Sequence, residues 1–149
     1  MRWPSGGSFA TSPGDPLDDG AEPTEDQVAA LTEYLLSLEL PPSLAEARGE
    51  LKVESIAKGE TVFRAQGCVS CHAPPAFTTP GVYDVAIHDA VGNKEFNPPS
   101  LRGVSHRSKL FHDNRAGDLR ELFLTHQHGL DAPLEKQDLT SLVLFLRSL

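Results

Sequence analysis

One methionine, at position 1, and two cysteines, Cys68 and Cys71, are all the sulfur in this 149-residue chain. Long apolar runs are missing too. No stretch approaches the ~20 apolar residues of a membrane-spanning helix, which argues against a membrane span. The opening Met1-Arg2-Trp3-Pro4-Ser5-Gly6-Gly7 lacks the hydrophobic centre of a signal peptide. Positive charge is also short, with 13 Lys and Arg against 21 Asp and Glu and a formal net charge of −8. That balance argues against nucleic acid or an anionic membrane surface as partner and favours a basic or mixed-charge protein. Apolar residues make up 39% of the chain, fewer than in an average globular domain.

Both cysteines fall in one run, Cys68-Val69-Ser70-Cys71-His72. A CxxCH run is the attachment signature of c-type haem. Two thiols at this spacing can each add to one vinyl group of a single porphyrin, and the following His72 then serves as proximal iron ligand. A redox dithiol should follow a strand in a βαβ unit, whereas Cys68 follows a helical pattern closed by Gly67. A zinc site needs two further ligands, and His106 and His112 lie far beyond the usual distance from the cysteines. The cofactor expected is therefore one covalently attached haem c. A flat apolar cofactor would supply much of the core of so small a domain, so the chain without it should fold poorly. Because c-type haem is normally attached outside the cytoplasmic membrane, the natural protein is expected to be periplasmic or otherwise exported. On that expectation the present chain would be a fragment or an expressed piece of something longer.

Residues 1–23 are rich in Gly, Pro, Ser and Asp without an apolar period and read as a disordered arm or linker. The next segment, 24–42, is an amphipathic helix: Thr24 is its N-cap, Gln27 completes a capping box, and Val28, Leu31, Leu35 and Leu38 form its stripe before Pro41-Pro42. A second helix is expected from Ile56 to Gln66, with Ser55 as N-cap and Gly67 as C-cap. The Pro- and Gly-rich stretch from Ala73 to Arg115 is too long for an idle connection and should wrap the porphyrin, with a short strand at Tyr83 to Ile87. Asp118 caps a further helix, with Glu121 three positions on and Leu119, Leu122, Phe123 and His126 on one face; Gly129 stops it. A last helix runs from about Glu135, burying Leu139, Leu142, Val143, Leu146 and Leu149. Tyr34-Leu35-Leu36-Ser37-Leu38 also echoes Phe145-Leu146-Arg147-Ser148-Leu149. Two readings stay open: chance likeness of two amphipathic helices, or a duplication in which 24–42 closes a preceding cytochrome-like domain.

Around the haem motif, Gly59-Glu60-Thr61-Val62-Phe63, Pro74-Pro75-Ala76-Phe77-Thr78, Tyr83-Asp84-Val85, Asn97-Pro98-Pro99-Ser100-Leu101-Arg102-Gly103-Val104 and Leu110-Phe111-His112-Asp113 complete a pattern. From about Lys58 to Leu149 it resembles the C-terminal haem domain of the di-haem cytochrome c peroxidase and MauG family. The resemblance implies a mostly α fold: a class I-like cytochrome c helical domain over 55–149, wrapped around one covalent haem and preceded by an extra N-terminal helix. Its first and last helices would cross near Gly59, Phe63 and Phe145. Enzymes of that family carry two haems, whereas this chain has one haem motif, so an autonomous di-haem peroxidase is excluded.

In that family the sixth iron ligand, Met or Tyr, lies at the end of the helix after the His-Asp motif, a place taken here by His126. Met1 is too remote to serve. His126 on an apolar helix face needs a partner for its imidazole, which iron would provide; His128, just before Gly129, is its rival. Arg102 and Arg115 are candidate partners of the haem propionates. Asp113 is a candidate orienting partner for His112. His88 and His106 read as solvent-exposed. The expected function is electron transfer through one haem held by His72 and His126, with a redox partner protein or neighbouring haem domain on the other side of the exchange. Histidine in place of methionine would lower the reduction potential. The alternative is a peroxidase-type enzyme with an open sixth position.

Overall fold

In a computed structural model, residues 22–39 and 41–149 are described. They fall into two units divided after Glu39. Most of the arm expected over residues 1–23 lies outside the described residues.

The first unit contains helix α1, Glu25–Ser37. Its start is the expected capping box: Gln27 N–H donates to the Thr24 hydroxyl, and the Thr24 N–H donates to the Gln27 side chain. Val28, Leu31 and Leu35 form the apolar stripe, and none of the helix is buried.

The second unit holds α2 (Leu44–Ala47), α3 (Val53–Ala65), α4 (Leu119–Leu124), α5 (Lys136–Arg147) and a two-stranded antiparallel ribbon, β1 (Tyr83–Asp84) with β2 (Glu95–Phe96). The mostly helical, cytochrome-like architecture expected from the sequence is what the structure shows. Its core is the crossing of α3 and α5. A Cβ placed on Gly59 would lie 2.6 Å from Phe145 Cβ and 2.7 Å from the Ser141 carbonyl carbon, so only glycine permits this approach. One turn on, Phe63 meets Phe145 at 5.3 Å between ring centroids, and Phe77 packs edge-on against both at 6.1 Å. Leu142, fully buried, and Leu139, Val143 and Leu146 complete the α5 stripe.

Several expected boundaries move, α1 among them, since it closes at Ser37 rather than reaching residue 42. Helix α3 begins at Val53, because the Lys52 carbonyl accepts from both Ser55 and Ile56 N–H and draws Ser55 into the first turn. Its end is as expected: Gly67 takes a left-handed φ of 74° and hands the chain to a 3₁₀ turn at Cys68–Ser70. The strand expected at 83–87 is cut to two residues, since Asp84 Oδ1 accepts from Ala86 N–H at 3.0 Å and turns the chain through a positive φ at Ala86. Asp118 caps α4 through the N–H groups of Arg120 and Glu121, but the helix closes at Leu124, well before Gly129. The closing turn passes through positive φ at Gln127 and Gly129, with His128 N–H reaching back to the Leu122 carbonyl at 3.3 Å.

Alanine at Gly59 should drive α3 off α5. Because the first atoms met are backbone and Cβ, relaxation is limited, and Gly59→Ala should cost about 3 kcal/mol or more in denaturant unfolding. A loss below about 1 kcal/mol would show that the crossing is not close.

Candidate functional site

Cys68 and Cys71 are free, half-buried thiols on the turn that leaves α3. Burial and the neighbouring Cys71 push the Cys68 thiol up in pKa, partly opposed by a backbone hydrogen bond. The turn is tied down by Cys71 N–H and His72 N–H, both donating to the Cys68 carbonyl at 3.3 and 2.9 Å. The loop that follows returns to it. Thr79 Oγ1 donates to the Cys71 carbonyl at 3.1 Å, Tyr83 OH to the Ser70 carbonyl at 3.3 Å, and Leu101 N–H to the Phe77 carbonyl at 3.2 Å. This long segment is thus tied by hydrogen bonds to the CxxCH turn.

His72 Nδ1 lies 3.1 Å from the Phe77 carbonyl. A carbonyl only accepts, so Nδ1 carries the proton and Nε2 keeps its lone pair, the tautomer a metal ligand requires. Burial lowers the pKa of His72, with the carbonyls of Phe77 and Pro99 opposing. The imidazole is thus held neutral.

His126 lies beyond the end of α4, so the helical face does not orient it; both candidate distal histidines ride the turn that closes this helix. Their rings stand edge-on to Phe111, at 5.3 Å for His126 and 5.4 Å for His128. His126 Nε2 and His128 Nδ1 are buried with no hydrogen-bond partner. An orphaned buried nitrogen costs roughly 1–3 kcal/mol unless something satisfies it, and there are two beside one ring. The pKa of His128 is pushed down to about 4, chiefly by burial. The described residues thus offer two half-buried thiols and three half-buried imidazoles, donor types that haem attachment and ligation use.

The arginines stand differently. Arg115 is engaged by the Asp113 carboxylate and donates to the His88 carbonyl at 2.6 Å. Arg102 is exposed, and its backbone N–H bonds the Ser100 hydroxyl at 3.2 Å. Neither guanidinium is joined to the imidazole cluster by a hydrogen bond. His112 stacks on Phe96 at 4.4 Å with its Nε2 4.0 Å from Asp89, and the Asp113 carboxylate expected to orient it is engaged by Arg115 instead. His88 and His106 are exposed, as expected. Two aromatic residues had no role in the sequence reading: Phe77, which holds His72, and Phe111, which stands against both distal candidates at a positive φ of 65°. Among the described residues no group of three or more His, Cys, Asp or Glu side chains converges as a metal cage.

His128 gives this cluster a pH dependence. As pH falls below 6.5 the unfolded chain takes up the proton first, so stability declines until about pH 4 and is constant above 6.5, with His72 acting in the same direction. The loss from His128 amounts to about 3 kcal/mol. Urea unfolding between pH 4 and 7 should show this slope, and His128→Leu should remove most of it; an unchanged slope would place the His128 ring in solvent.

No protein family and no curated protein matches the chain. Among solved structures it is similar to hydrazine synthase of Kuenenia stuttgartiensis, determined under 20 bar of xenon, with 20% identity and a TM-score of 0.61. The match covers 85% of this chain and 56% of that one, so the chain spans just over half the length of that protein. At this identity the likeness is one of fold. No helix among the described residues is long and apolar enough to cross a membrane.

Proposed function

We propose that the chain is a c-type cytochrome domain that transfers electrons through one covalently attached haem. Cys68 and Cys71 would hold the porphyrin as thioethers, His72 would be the proximal ligand, and a histidine of the α4 closing turn would be the distal one. The observation that carries this reading is the tautomer-fixed His72 of the CxxCH turn, together with two buried imidazole nitrogens on the α4 closing turn that have no hydrogen-bond partner. When bound, the haem supplies one-electron Fe(III)/Fe(II) chemistry. The chain's own residues do the rest. The Phe77 carbonyl fixes the proton on Nδ1 of His72, and burial favours the neutral form of the His72 and His128 imidazoles.

Of the two distal candidates His128 is favoured, because burial holds its imidazole in the neutral form that binds iron, whereas His126 lies beyond the helical face that recommended it. Ligation by two imidazoles would set a lower reduction potential than His/Met ligation. The resemblance to the di-haem peroxidase and MauG family supports a place in a larger exported redox protein, with a neighbouring haem domain or a protein as electron partner.

The test is the visible spectrum of chain produced with haem-maturation machinery. Wild type should be six-coordinate and low-spin in both oxidation states. His128→Ala should become high-spin, while His126→Ala stays low-spin, with far-UV circular dichroism confirming that each variant folds. The reverse pattern would give the distal place to His126. A high-spin, peroxide-responsive wild type would overturn the carrier reading in favour of a peroxidase.

A further inference from the structure

Away from the imidazoles, a cleft of about 260 Å³ opens between the 3₁₀ turn Val104–His106, the start of α4 and the last turns of α5. Its floor is apolar, with Val104, Leu119 and Val143, and Arg107, Arg120 and Arg147 stand around it. It shares no residue with the His126, His128 and Phe111 cluster.

The polar groups here have one chemical sense. Arg147 is paired with Glu50 at 3.2 Å. Among the described residues no carboxylate pairs with Arg107 or Arg120; each spends a donor on a neutral oxygen, the Ser100 carbonyl at 3.1 Å and the Thr140 hydroxyl at 3.4 Å. The one carboxylate in the lining, Asp118, is committed to the N–H groups of Arg120 and Glu121 at 2.7 and 2.8 Å. Ser105, also in the lining, has its hydroxyl buried without a partner. A guanidinium offers five donors and no acceptor, so what the cleft lacks is an acceptor bearing negative charge. The surroundings reinforce this, since no acidic residue occurs between Glu95 and Asp113 while Arg102, Arg107 and Lys109 do.

We propose that this cleft binds a small organic carboxylate. The carboxylate meets Arg107 and Arg120, and its apolar stem lies on Val104, Leu119 and Val143. The planar guanidinium favours carboxylate by its fork geometry. The volume, below the ~300–1,000 Å³ of ordinary ligand sites, limits the occupant to a short acid. Haem propionates are the other source of the same chemistry, and the test separates the two.

Isothermal titration of the full chain, carrying its haem, with benzoate and its neutral isostere benzamide tests the site. Benzoate should bind saturably, tighter than about 1 mM, and benzamide should not. Arg107→Gln and Arg120→Gln should each weaken binding, and the two together should abolish it while the circular dichroism spectrum is kept. Equal binding of benzamide, binding unmoved by these substitutions, or no binding would each overturn the proposal. If no benzoate binds and the arginine pair instead shifts the haem spectrum, the cleft belongs to the propionates.

Discussion

The second unit depends on one contact that a missing side chain makes possible. Gly59 lets α3 lie against the Ser141 backbone and the Phe145 Cβ of α5, and this close crossing aligns Phe63, Phe77 and Phe145 in a three-ring cluster. Such rings contribute roughly 0.5–1.5 kcal/mol per pair beyond the area they bury. The consequence for the site is positional. Helix α3 ends at Gly67, so whatever fixes α3 also fixes where Cys68, Cys71 and His72 emerge. Phe77 belongs to both parts, since its ring packs on α3 and α5 while its carbonyl holds the His72 ring.

Around that frame the histidines present an accounting problem. Buried polar atoms in folded proteins nearly always have partners, yet two imidazole nitrogens on a single turn have none. A metal-bearing cofactor against the His72 side would satisfy such a nitrogen and remove its cost. The low pKa of His128 fits the same picture, because a neutral imidazole is the form that binds iron.

Much of this was legible in the chain. Thr24 with Gln27, Gly67 after α3, Asp118 before α4 and the α5 stripe all obey local rules that need no tertiary information, and each is seen. The CxxCH run names a chemistry by spacing alone. What was not legible depends on the backbone. The strand at 83–87 is shortened by an Asp84 turn, and the helix expected to carry His126 stops at Leu124 because the chain enters positive φ at Gln127. The positive φ at Phe111 has no sequence signature, so its place between two histidines could not be foreseen. Net charge also misled as a guide to surfaces. Residues 1–39 hold eight acidic side chains and one basic, whereas residues 40–149 hold thirteen and twelve, so the haem-motif unit is close to neutral and has room for a basic cleft.

The central claim is covalent attachment of one haem at Cys68 and Cys71, and intact-mass spectrometry of the denatured protein, made with haem-maturation machinery, tests it most directly. The account predicts a mass higher by one haem that survives acid and organic solvent, and loss of that stable adduct when Cys68 and Cys71 are both changed to serine. A wild-type mass equal to the bare polypeptide, with both thiols open to alkylation, would contradict it.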